Sequence, residues 1–126
     1  MLQTVLFIDD DKPTNIINER LAERSNIFKQ IKIYMNSMEA LDYLTRLTIN
    51  KEIYPDLIFL DINMPAFNGW EFLDAFGKLK LHTKIKVVML STALDISKKK
   101  RDQYQNIVSA FERKPLSLDK LKIHAC

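Results

Sequence analysis

The stretch that most constrains the fold runs from Leu57 to Gly69 and reads LIFLDINMPAFNG. Four apolar residues, Leu57 to Leu60, stop at Asp61, and Asn63, Pro65, Asn68 and Gly69 then break regular structure. A short apolar run bounded by turn residues predicts a strand buried on both faces, as in a parallel sheet. Asp61 then stands at the carboxyl end of a central strand, where open α/β sheets bind their ligands.

The rest of the chain alternates strand and helix. Residues 4–8 read as a buried strand ended by Asp9-Asp10-Asp11. Pro13 suits the first turn of a helix whose apolar positions Ile16, Ile17, Leu21 and Ala22 run to about Ser25. Residues 31–35 predict a second, more peripheral strand. Asn36, with Glu39 three residues on, predicts a capping box for a helix carrying Ala40, Leu41, Tyr43, Leu44 and Leu47. Residues 48–55 read as a loop. Trp70, Phe72, Leu73, Phe76 and Leu79 give the helix after the opening strand a strong apolar face. Residues 86–90 predict a fourth strand ending at Ser91-Thr92, residues 96–105 a polar helix, and residues 107–111 a short fifth strand. Ser117 suits the cap of a short last helix through Leu118, Leu121 and Ile123. This alternation predicts an α/β fold, a doubly wound five-stranded parallel sheet in the order 2-1-3-4-5 with helices on both faces. The 126 residues suffice for a single domain over 1–126 with a full core.

Composition narrows the function classes. A chain 47% hydrophobic and 28% charged has the balance of a globular protein rather than a disordered one. No apolar stretch approaches the roughly 20 residues that span a bilayer. The first residues, MLQTVLFIDDD, lack the basic start of a signal peptide. One cysteine, Cys126, excludes an internal disulfide, and a cytoplasmic setting is expected. The net charge of +3 owes much to Lys98-Lys99-Lys100-Arg101. No aromatic residue interleaves that run, so it reads as a solvated helix face; neither membrane nor direct nucleic-acid binding is expected.

Just past the strand ends stand Asp9 and Asp10, Asp61, Ser91 and Thr92, and Lys114. Three carboxylates, hydroxyls and one ammonium thus converge on one rim. Clustered carboxylates either take up protons or hold a cation. Oxygen ligands with no Cys or His nearby suit Mg²⁺, and an Asp beside such an ion makes a phosphoryl-accepting centre. In that reading Lys114 neutralises phosphoryl oxygens and Ser91 donates a hydrogen bond to one. Taken singly, Asp9 to Asp11 could instead cap the first helix, Asp61 could be a turn residue, Ser91 a cap and Lys114 a solvated lysine.

With these residues in view, the chain resembles the receiver domain of two-component response regulators, a flavodoxin-like fold, over nearly its whole length. FIDDD is similar to the family's acidic pair, LDINMPAFNG to its phosphorylation loop, MLST to its hydroxyl position and FERKP to its Lys-Pro corner. The resemblance implies that Asp61 accepts a phosphoryl group from a phosphohistidine of a sensor histidine kinase or histidine phosphotransfer protein. It implies Mg²⁺ held by Asp10, Asp61 and the backbone carbonyl of Asn63, with Asp9 acting largely through water. Ser91 would grip a phosphate oxygen and Lys114 the phosphoryl group. Phe111 would be the aromatic switch, and the Lys114-Pro115 peptide would be cis. The chain departs from the family pattern with Ser for the commoner Thr at 91, Asn for the usual Asp at 68, and a Phe at 111 that lacks a phenolic hydroxyl. Asn63 and Ala93 occupy the variable positions that flank the phosphoryl group. The resemblance implies a signalling switch rather than an enzyme, one that promotes only its own phosphorylation and dephosphorylation. With no room for an output domain, its signal is expected to leave through an unknown partner protein, on a surface of residues 96–105, Phe111 and the end of the chain. His82 and His124 lie away from the rim, so the phosphohistidine is expected on another protein. Two rivals are a receiver fold without phosphorylation and a phosphohydrolase resembling haloacid dehalogenases. The intact set Asp10, Asp61, Ser91 and Lys114 argues against the first. Asn63, where the second would place another Asp, argues against it.

Overall fold

A computed structural model describes residues 2–64, 67–81, 84–92 and 96–125. Pro65, His82, Ala93 and Cys126 lie outside the described residues. The strands are β1 (Leu2–Ile8), β2 (Phe28–Tyr34), β3 (Leu57–Asp61), β4 (Lys86–Ser91) and β5 (Ala110–Arg113). The helices are α1 (Lys12–Ser25), α2 (Ser37–Asn50), α3 (Gly69–Lys78), α4 (Lys98–Gln103) and α5 (Leu118–Ala125). All strand pairs are parallel, and the sheet order is β2-β1-β3-β4-β5, as the alternation predicted.

Period-two alternation divides the core between the two faces of the sheet. Leu6, Ile8, Ile58, Leu60, Val87 and Met89 pack on one face with the buried residues of α2 and α3. Val5, Phe7, Leu57, Phe59, Val88 and Leu90 pack on the other with Ala22 of α1 and Leu121 of α5. Both faces of β3 are covered, which is why its sequence is a continuous apolar run rather than an alternating one. Among the described residues no helix is long and apolar enough to cross a membrane.

Five local expectations need correction. β5 begins at Ala110, not Ile107: the amides of Ile107 and Val108 both donate to the Tyr104 carbonyl, so these residues finish the turn after α4. β2 starts at Phe28, because Phe28 already pairs with Leu2 and the Leu2 amide bonds to the Ile27 carbonyl. α2 continues to Asn50, past the β-branched Thr48 and Ile49, and ends on Lys51 in a left-handed conformation at φ 54. The stripe that α1 buries is Asn15, Asn18 and Ala22, while Ile16 and Ile17 are exposed. The helix over 96–105 is shorter than its periodicity suggested, six residues capped by Ser97.

Phe72 is fully buried under α3 and stacks on Phe76 at 5.8 Å. Phe72→Ala should cost about 3–5 kcal/mol of stability in urea unfolding. Ile53→Ala, at a residue 73% exposed, should change it by no more than about 0.5 kcal/mol.

Candidate functional site

The strand register assembles the rim. Ile8 pairs with Leu60, so Asp9 follows level with Asp61; Asp61 pairs with Leu90, so Ser91 stands one residue beyond. Ser91 pairs with Arg113, so Lys114 is the next residue out, and its amide donates to the Ser91 carbonyl at 2.8 Å. The Lys114–Pro115 peptide is cis. Had β5 ended at Phe111, as its expected bounds 107–111 placed it, Glu112 and Arg113 would have separated Lys114 from the strand end.

The three consecutive acids have divided the work. Asp11 caps α1: its carboxylate accepts the Thr14 amide at 3.0 Å and the Thr14 hydroxyl, and those bonds hold its pKa below the ordinary value. Asp9 and Asp10 are left at the rim. Carboxylate oxygens of Asp9, Asp10 and Asp61 all lie within 4.8 Å of one another. Asp9 is buried; its Oδ1 accepts the Asp11 amide at 2.9 Å and its Oδ2 the Lys114 ammonium at 2.7 Å. Asp61, only 5% exposed, lies 3.2 Å from the same ammonium and accepts the Asn63 amide at 3.3 Å. Asp10 is exposed.

Burial and then the neighbouring Asp9 charge raise Asp61 to a pKa of about 6, against the pull of Lys114 and the Asn63 amide. For Lys114, burial works toward a lower pKa, but its bond to Asp9 and the charges of Asp9 and Asp61 overrule it, and the net shift is upward. The ammonium is therefore charged, and three carboxylates face one positive group. Hard oxygens of this kind, with an excess of negative charge and no sulfur or imidazole in the cluster, fit Mg²⁺.

Asn68 and Gly69, read in the sequence as breaking regular structure, form an ordered junction into α3. Asn68 and Glu71 form a full capping box, whereas Asn36 only accepts the Met38 and Glu39 amides. A Cβ at Gly69 would sit 2.7 Å from the Asp61 carbonyl and 2.9 Å from the Ile62 Cα. Glycine is needed there for close approach, since α3 starts against the residue that carries the site.

Phe111 does not join the acids. It pairs with Met89, and its ring lies 6.3 Å from Trp70 with the Arg101 guanidinium 5.1 Å above it. The basic run is thus not wholly a solvated face: Lys98 and Lys99 are exposed, but Lys100 covers Trp70 at 5.2 Å and Tyr104 at 5.6 Å. His124 packs edge-on to Phe59 beside Glu112. Sequence reasoning missed Asn15, whose Nδ2 donates to the Asp9 carbonyl at 2.8 Å. The signal that would have found it is a polar residue on the stripe through Asn18 and Ala22.

The sequence model of the response regulator receiver domain matches residues 5–125. The chain is 28% identical over 118 residues to the probable methanogenesis regulatory protein FilR2 of Methanothrix harundinacea, covering 94% of this chain and 76% of that protein. It is 29% identical over 119 residues to response regulator Rre1 of a Synechocystis species, covering 94% of this chain and 48% of that one, so it spans about half of this relative. A two-component response regulator from Cytophaga hutchinsonii has a similar structure, with TM-score 0.88 at 29% identity over 98% of this chain and 93% of that one.

The raised Asp61 pKa has a stability consequence. Between 3.8 and about 6 the folded state holds a proton that the unfolded chain has released, so stability falls as pH rises through that window. The penalty is fully present above it. Without divalent cations, Asp61→Asn should therefore melt higher than wild type at neutral pH, by about 5 °C, with the gap closing as pH falls toward the ordinary carboxylate range. Thermal unfolding across the pH range measures this.

Proposed function

Because the chain belongs to the response regulator receiver domain family of two-component signalling, we propose that it is a phosphoacceptor switch whose Asp61 takes a phosphoryl group from the phosphohistidine of a sensor histidine kinase or histidine phosphotransfer protein. The observation that carries this reading is the Asp61 carboxylate itself, buried at a strand end beside two further acids and 3.2 Å from Lys114. Mg²⁺ would be held by Asp10, Asp61 and the Asn63 carbonyl, with Asp9 acting through water. When bound, it supplies positive charge against the oxygens of the transferring group.

The ionised Asp61 oxygen attacks phosphorus as the bond to the imidazole nitrogen breaks, and the electron pair returns to the imidazole. Lys114, already pointed at Asp61, turns its charge to a phosphoryl oxygen, and Ser91 donates its hydroxyl to another. Phe111 then turns inward, exchanging its place against Trp70 and under Arg101 for one nearer Ser91. That rearrangement would bias what a downstream protein binds at residues 96–105, Phe111 and α5. Such a domain promotes only its own phosphorylation and dephosphorylation, and its place is in the cytoplasm as one domain over 1–126.

Radiolabelled acetyl phosphate tests the acceptor. Wild type should take up label only with Mg²⁺ present, and Asp61→Asn should fall to background. Equal labelling of the two proteins would show that another residue accepts the phosphoryl group.

A further inference from the structure

α1 spends two positions of its buried stripe on asparagine. Asn15 is 3% exposed; its Nδ2 reaches back to the Asp9 carbonyl at 2.8 Å, and its Oδ1 is buried with no partner among the described residues. Rotating the amide would set two oxygens against each other, so this orientation is the one the chemistry allows. A buried amide oxygen without a donor costs about 1–3 kcal/mol, and leucine, of similar size, would avoid that cost. Leucine would also give up the bond to the Asp9 carbonyl, so the gain and the loss roughly offset and the asparagine contributes little net fold stability.

What the amide does is hold one peptide plane. The Asp9 carbonyl and the Asp10 amide belong to the same rigid unit. On the Asp9 side, the carboxylate is tied to Lys114 and to the Asp11 amide. Asp10, on the other side, is exposed, and its direction follows from the backbone that carries it. That backbone is anchored by Asn15.

We propose that Asn15 is a positioning residue for the acidic rim: its side-chain amide fixes the Asp9–Asp10 peptide so that the Asp10 carboxylate is delivered beside Asp61 as a cation ligand. The proposal rests on the reading of the rim as a Mg²⁺ site. Groups that orient the ligands of a metal are worth about 10–100-fold in its affinity.

The test compares wild type, Asn15→Leu and Asn15→Gln by NMR, well below their unfolding temperatures. Mg²⁺ titrations give affinity, and hydrogen exchange of the Asp10 amide in the metal-free protein gives the rigidity of the peptide. Asn15→Leu should bind Mg²⁺ about tenfold more weakly, exchange the Asp10 amide faster and melt within about 3 °C of wild type. Asn15→Gln, which keeps the donor, should recover part of the affinity. A leucine variant with wild-type Mg²⁺ affinity would overturn the proposal, and so would a loss accompanied by unchanged Asp10 exchange. If wild type itself bound no Mg²⁺, the reading of the rim would fall instead. Asp10 exchange would then decide separately: faster in the leucine variant upholds the peptide-holding role, unchanged refutes it.

Discussion

The Lys114 ammonium lies 2.7 Å from Asp9 and 3.2 Å from Asp61, and the rim depends on that placement. Two carboxylates about 4 Å apart repel by roughly 4 kcal/mol at an effective dielectric of 20. Asp9 and Asp61 are both buried, and Asp10 stands close by. One ammonium shared between two acids makes the arrangement tolerable without neutralising it. The remaining excess of negative charge raises the Asp61 pKa and suits the site to a divalent cation. It also gives Lys114 a direction: a phosphoryl group on Asp61 would carry more negative charge than the carboxylate it replaced.

The geometry behind that placement is spread over the whole sheet. Asp9 and Asp61 stand side by side because β1 and β3 are neighbours. Lys114 comes within reach because β5 runs to Arg113 opposite Ser91, and because its own amide is held by the Ser91 carbonyl. α3 presses on the Asp61 backbone through Gly69. Asn15 ties α1 to the Asp9 carbonyl from the other side. The acids are thus fixed by main-chain contacts from three directions, which leaves little freedom for the crowded carboxylates to separate. The aromatic residues next to the rim are arranged differently. Phe111 touches Trp70 and Arg101 rather than the acids, and the chain itself leads from the rim at Ser91, where β4 ends, to α4.

Much of this was legible in the sequence, for a physical reason. Leu57 to Leu60 is apolar throughout because β3 is covered on both faces, and Asp61 stands out by ending the run. The strand order and the convergence of Asp9, Asp10, Asp61 and Lys114 followed from the alternation and from reading strand ends. The misses occurred where tertiary contact overrode local pattern. Ile16 and Ile17 attracted attention as the apolar face of α1, yet the helix buries Asn15 and Asn18, because one of them serves the backbone of a neighbouring turn. Ile107 and Val108 have strand composition, but Tyr104 claims their amides. Gly69 read as a breaker of regular structure, whereas it opens α3 and supplies the space needed beside Asp61. Lys100 and Arg101 belonged to a charge run whose partners Trp70 and Phe111 are remote in sequence, while Tyr104, at helical spacing from Lys100, lies just past the run.

The central claim is that Asp61, and neither of the acids crowded against it, is the group that receives phosphate. Borohydride reduces an aspartyl phosphate to homoserine and leaves a free carboxylate untouched, so the acceptor can be located by peptide mass spectrometry. After incubation with acetyl phosphate and Mg²⁺, reduction should place homoserine at position 61, with Asp9 and Asp10 unchanged. Homoserine at position 9 or 10, with Asp61 intact, would contradict the account.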